Sequence, residues 1–169
     1  NQRPVTEPIV QELMQKKAVA YLASIRDHLV IFPGVKKFVQ EAAAAYPIAI
    51  ASGALRPEIE LILEEAGLRK AFRHITSAED VTRSKPNPEP FLHALAGLNR
   101  QQTGPALAPD TCLVIEDSLP GIRAAKAAGM KVLAVTNTHT VQDLHEAHAI
   151  SPNLRETRLA ELKTRLWPS

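Results

Sequence analysis

Little in this chain invites a disulfide framework, a membrane or a nucleic acid. Cys112 is the single cysteine, so no intrachain disulfide is possible. It lies in the apolar run Cys112-Leu113-Val114-Ile115, where a buried, inert thiol is expected. Aromatic residues make up 4% of the sequence, too few to offer a stacking surface for bases. Lysine and arginine exceed aspartate and glutamate by only two charges. The two signs alternate: the acidic stretch Glu58 to Glu65 gives way to Arg69 and Lys70, and no basic block points to nucleic acid. No apolar run reaches the length of a bilayer span. Asn1 to Pro8 lacks the basic-then-apolar pattern of a secretion signal, a point that a missing upstream segment would leave open; with a lone cysteine, the cytoplasm is the default expectation. No Gly-x-Gly-x-x-Gly follows a strand pattern, which leaves dinucleotide binding without support. The six histidines are scattered, and the closest pair, His145 and His148, reads better as solvated than as a zinc site.

What is present is a chain of 169 residues, enough for one domain and part of a second, with 45% apolar residues. From Pro8 to Ile25 the apolar positions follow helical spacing, with Lys16 and Lys17 on the wet side. Pro33-Gly34 opens a second helix through Val35, Phe38, Val39 and Ala42. Pro47 to Ala51 is then a short, continuous apolar run that ends at Ser52-Gly53-Ala54, the pattern of a buried strand stopping at a tight loop. Pro57 begins a helix that Gly67 ends. His74-Ile75-Thr76 reads as a strand, Pro88 to Leu98 as a helix, and Gln101 to Pro109 as a loop. Thr111 to Ile115 is a strand delivering Glu116-Asp117 at its end. Ser118 and Pro120 begin a helix closed by Gly129, and Lys131 to Val135 is another buried strand. Asp143 to Ala147 reads as helical, Ala149-Ile150 as a small strand, and Leu159 to Leu166 as a closing helix. Strands alternating with helices predict an α/β fold, a doubly wound parallel sheet covered on both faces. In such sheets ligands bind beyond the carboxyl ends of the strands.

Three features fall at that edge. Glu116 and Asp117 are adjacent carboxylates at a strand end, suited to a hard cation such as Mg²⁺. The competing reading is that Asp117 or Ser118 only caps the following helix. Ser52-Gly53-Ala54 offers a hydroxyl and a freed backbone to a phosphoryl oxygen, with the next helix adding its dipole and Arg56 in reach of a further anionic or hydroxyl group. A plain strand-to-helix turn would look the same. Lys85, between Ser84 and Pro86-Asn87-Pro88, is an ammonium on stiffened backbone, able to neutralise phosphoryl and carboxylate charge. Alone it would pass for a solvated lysine. The three features recur about thirty residues apart, the length of one strand-helix unit.

Ile50-Ala51-Ser52-Gly53-Ala54, Ser84-Lys85-Pro86-Asn87-Pro88 and Val114-Ile115-Glu116-Asp117-Ser118 resemble the second, third and fourth motifs of the haloacid dehalogenase-like superfamily. Gly121-Ile122 and Ala127-Ala128-Gly129-Met130 extend the fourth. The Glu-Asp-Ser form is similar to β-phosphoglucomutases and related sugar phosphatases. The resemblance implies Mg²⁺-dependent transfer of a phosphoryl group from a small phosphorylated metabolite, a sugar phosphate, to an aspartate and onward. It implies that Ser52, with Gly53, Ala54 and Arg56, binds the phosphorylated substrate. It implies that Lys85 stabilises charge and that Glu116 and Asp117 hold Mg²⁺. The superfamily's first motif, Asp-x-Asp-Gly-Thr after a strand, is not found here. Asp27 is the only aspartate before Asp80 and follows a helix pattern. Residues 1–30 then read as the rear part of a helical cap, and residues 31–169 as a core lacking its first strand. In the family that strand lies between those ending at Ser52 and Asp117, so an empty slot with two unpaired edges is expected. A missing N-terminal segment of the same protein, or a partner chain, would fill it. The rival expectation is a non-catalytic fragment or a phosphate-binding structural partner.

Overall fold

A computed structural model describes residues 29–168. The amphipathic segment from Pro8 to Ile25 lies outside the described residues.

The order is α1 (Val35–Ala45), β1 (Ala49–Ala51), α2 (Arg56–Glu65), β2 (His74–Thr76), α3 (Glu89–Arg100), β3 (Leu113–Glu116), α4 (Leu119–Ala127), β4 (Lys131–Val135), β5 (Ala149–Ser151) and α5 (Leu159–Leu166). Every ladder is parallel. β1 pairs with β2, Ile50 opposite Ile75; β3 pairs with β4, Glu116 opposite Ala134; β4 pairs with β5, Leu133 opposite Ala149. The strands fall into a pair, β1-β2, and a triplet, β3-β4-β5. Among the described residues β1 and β3 are therefore both edges, and Ile115 on β3 is 37% exposed.

Side-chain alternation along β4 decides how the two faces are covered. Val132 and Ala134 join Ile122, Ala125, Phe91 and Leu95 beneath α3 and α4. Leu133, pointing the other way, packs with Phe38 of α1 and Leu162 and Leu166 of α5. A third cluster joins Ile59 and Leu63 of α2 to Ile75, with Val35, Val39 and Ile50 against it. Helices lie on both faces, as a doubly wound sheet requires.

The local signals mostly act where the residues place them. Pro57 sits in the first turn of α2, and Gly67 and Gly129 turn the chain at positive φ after α2 and α4. Two expectations are corrected. Asp143 to Ala147 is not a helix but a run of turns; Thr140 hydroxyl and Asp143 carboxylate bond each other, and the Thr140 N–H donates to Asp143 Oδ2 at 3.0 Å. These side chains supply the local bonds that a helix would otherwise make. The strand expected from Thr111 begins at Leu113, because Pro109–Thr111 forms a 3₁₀ turn in which the Cys112 N–H donates to the Pro109 carbonyl.

Candidate functional site

Four loops leave the carboxyl ends of β1 to β4, and three of them meet at Lys85. Its Nζ donates to the carbonyl of Ala51, the last residue of β1, at 3.0 Å. It also pairs with Glu116 Oε1, at the end of β3, at 2.7 Å. The ammonium stands 4.9 Å from the centre of the Phe91 ring, which shields one side. Lys85 thus bridges the two groups of strands, in a loop from β2 that enters Pro86 through a cis peptide. Its side chain is 21% exposed and that of Glu116 only 9%, so this pair is not a solvated surface contact.

Glu116 is engaged at both oxygens. While Oε1 faces Lys85, Oε2 accepts from the Asp117 N–H at 3.1 Å, the Ser118 N–H at 3.3 Å and the Ser118 hydroxyl at 2.9 Å. Gly121 explains how the carboxylate fits: a Cβ on residue 121 would overlap the Glu116 carboxyl group. The capping role weighed for this region belongs to Ser118, whose Oγ accepts from the Gly121 N–H at 3.2 Å. Asp117 is spared that duty. Among the described residues its carboxylate takes one hydrogen bond, from the Thr138 hydroxyl to Oδ2 at 2.9 Å. Thr138 belongs to the hydroxyl-rich loop that follows β4 at the ligand edge of the sheet.

Ser52 closes β1. Its N–H continues the ladder to the Thr76 carbonyl at 2.9 Å, and its Oγ accepts from the Ala54 N–H at 3.1 Å. Gly53 is exposed, and a Cβ there would meet nothing within 4 Å. Arg56 turns elsewhere. Its guanidinium bonds Asp80 Oδ2 at 2.6 Å and the Ile75 carbonyl at 3.0 Å, while its N–H donates to Glu79 Oε2 at 2.8 Å. Glu58 takes the Leu55 N–H at 3.0 Å. Glu58 and Glu79 thus answer the positive end of α2 from within the chain. Asp80 accepts from the Ser77 N–H and hydroxyl, and these bonds, chiefly the backbone one, hold its carboxyl below the usual carboxylate range.

The donor set tells what the site can hold. The two carboxylates at the end of β3 are oxygen ligands that fit a hard, oxygen-seeking divalent cation; the Lys85 ammonium is no ligand but a counter-charge beside them. Among the described residues no three His, Cys, Asp or Glu side chains come together as a metal site. Asp117 and Glu116 would supply one side of a cation's shell, and the rest would come from beyond them. Again among the described residues, no helix is long and apolar enough to cross a membrane.

An α/β sheet with a bridging lysine and paired carboxylates at its ligand edge defines the class of phosphoryl-handling doubly wound folds. The sequence model of the haloacid dehalogenase-like hydrolases matches residues 3–129, and the chain belongs to that family. It is 37% identical over 111 residues to the bifunctional riboflavin kinase/FMN phosphatase of Arabidopsis thaliana, covering 64% of this chain and 27% of that protein. The fold superposes on CbbY of Rhodobacter sphaeroides, solved with phosphate, at a TM-score of 0.81 and 25% identity, over 96% of this chain and 73% of CbbY. It superposes on β-phosphoglucomutase of Clostridium difficile at 0.80 and 24% identity, over 95% and 68%. The chain spans 27% to 58% of the length of five curated relatives.

Proposed function

We propose that this chain carries most of the active site of a Mg²⁺-dependent phosphohydrolase or phosphomutase acting on a small phosphorylated metabolite, a sugar phosphate by preference. The observation that carries the reading is the pair of hydrogen bonds that Lys85 Nζ donates, one to the Ala51 carbonyl and one to Glu116 Oε1. It holds a cation between the loop of Ser52 and the carboxylate pair, where a transferring phosphoryl group would need its charge offset. The relatives' names support the substrate class, since FMN phosphatase and β-phosphoglucomutase both handle phosphate monoesters.

In this account Ser52, with Gly53 and Ala54, receives phosphoryl oxygens. Lys85 neutralises charge on the phosphoryl group. Asp117 and Glu116 hold the cation, which when bound supplies Lewis-acid stabilisation of that group. Arg56 fixes the Ser52 loop from behind through Asp80 and Ile75, and reaches substrate only if it leaves them. The nucleophile is an aspartate outside the 169 residues, on a strand that fits between β1 and β3, forming an aspartyl-phosphate that is then hydrolysed or passed to a sugar hydroxyl. In this reading the core is completed by that strand, which an N-terminal segment of the same protein, or a partner, supplies. The cytoplasm is the compartment proposed.

The test is phosphate release from a panel of sugar phosphates by the intact protein, with Mg²⁺ and with EDTA. The proposal expects Mg²⁺-dependent turnover that disappears in Lys85→Ala and Asp117→Ala. A properly folded protein with no turnover on phosphate monoesters would favour the second reading, a phosphate-binding or structural role. That reading is motivated by the absence of a third acidic ligand among the described residues.

A further inference from the structure

The loop after β4 reaches back over the end of β3. Because Glu116 lies opposite Ala134 in the ladder, the chain leaving Val135 rises beside Asp117. Thr138 Oγ1 stands 2.9 Å from Asp117 Oδ2 and 3.2 Å from the Asp117 carbonyl oxygen. His139 Nδ1 stands 2.9 Å from the same carbonyl and 2.9 Å from Thr138 Oγ1. A carbonyl oxygen can only accept, so the proton of the imidazole belongs on Nδ1. Nδ1–H then donates to the carbonyl and is shared with the Thr138 oxygen. The one hydrogen of the Thr138 hydroxyl remains for the carboxylate.

Two adjacent carboxylates are thereby treated differently. Glu116 is tied at both oxygens by groups of its own motif and by Lys85. Among the described residues Asp117 is held at Oδ2, and Oδ1 takes no part in these bonds. A carboxylate restrained at one oxygen has its rotation limited while the other stays available as a ligand, the arrangement in which an outer hydrogen bond orients a metal-binding group.

We propose that Thr138 is a positioning residue for Asp117: its hydroxyl fixes Oδ2 so that Oδ1 is presented to a divalent cation, while His139 steadies the backbone carbonyl of the same residue. This rests on the assignment of Asp117 as a cation ligand made above. Thr138 and His139 are exposed and lie in a loop, so their contacts with Asp117 are not forced by core packing.

Calorimetric titration of Mn²⁺ into the intact protein, without substrate, tests the proposal directly. Thr138→Val keeps the shape and removes the donor; Thr138→Ser keeps the donor. Loss of an outer-sphere partner weakens metal affinity about 10–100-fold. That loss is expected for Thr138→Val, with near-parental binding in Thr138→Ser. The Mg²⁺ concentration for half-activation should shift in parallel, while KM for substrate at saturating Mg²⁺ and the melting temperature stay put. Thr138→Ala is read the same way should the valine disturb folding. Mn²⁺ binding by Thr138→Val as tight as in the parent overturns this proposal alone. A parent protein that binds no Mn²⁺ overturns it together with the function proposed above.

Discussion

Two apolar runs look alike in the sequence and end in different surroundings. Ile48 to Ala51 and Val132 to Val135 are both short, continuous and hydrophobic. In the structure β4 has a partner on each side, and Val132, Leu133 and Ala134 are at most 1% exposed. Among the described residues β1 has one partner, and each of its three residues is only half-buried. The difference is one of neighbours rather than of composition: a strand is sealed by what flanks it. β1 and β3, the two edges, also carry at their ends the groups that Lys85 ties together. The incompletely covered part of the sheet is thus the part that holds the candidate chemistry.

Substitutions can break or sharpen this contrast. Lys85→Ala removes the link between β1 and β3 and the charge facing Glu116. Turnover should fall by about 10²–10³-fold, measured as kcat on the best sugar phosphate; a mild loss would mean that the bridge is only structural. In the sealed half, Leu133→Ala should cost about 2–5 kcal/mol in urea unfolding, and Ile50→Ala on β1 roughly half as much or less. Equal costs would erase the distinction between the two strands. Gly121→Ala, which drives a methyl group into the Glu116 carboxylate, should lower activity about 10-fold or more by moving that carboxylate off Lys85. A crystal structure with the Lys85–Glu116 pair undisturbed would refute that cause.

The smallest effects are on pH dependence. On β2, His74 is kept below its ordinary value of 6.5, first by burial and then by the nearby His93, and its Nε2 is buried without a partner. The neutral imidazole is therefore favoured in the folded protein. Stability should fall as pH drops from 6.5 through the lower folded value, and His74→Gln should flatten that slope. His148 contributes in the same sense, its value lowered mainly by burial, so the slope should shrink without vanishing. Asp80 acts in the opposite direction of charge. Its depressed carboxyl stabilises the fold fully above the ordinary value of 3.8, and that share is lost as pH falls through the folded value. Asp80→Asn should lower the melting temperature at neutral pH by a few degrees and leave less to lose in acid.

Much of this was legible in the sequence because the signals are local. The alternation of apolar runs with Pro- and Gly-bounded helices predicts a parallel doubly wound sheet, and the described strands are all parallel with helices between them. That Lys85 and Glu116 lie at the ligand edge of the sheet was readable, although their direct pairing was not. Sequence spacing says which strand ends a residue occupies, not which of two adjacent carboxylates turns toward a lysine. Arg56 illustrates the same limit: its position beside Ser52 is evident, but its engagement with Asp80, 24 residues on, depends on how β1 and β2 pair. Thr138 carried only the weak signal of a hydroxyl-rich loop after a strand. Its contact with Asp117 arises from the β3-β4 register, which no short pattern encodes. The turns around Asp143 were misread because side-chain bonds from Thr140 compete with the helical spacing.

The most direct test of the whole account is to quench the intact protein in acid during turnover of a sugar phosphate and locate the covalently bound phosphoryl group by mass spectrometry. The account predicts an aspartyl-phosphate on a strand that precedes these 169 residues in sequence or comes from a partner, formed with Mg²⁺ and absent with EDTA. Turnover without such an adduct, or a phosphoryl group attached to Ser52, would contradict it.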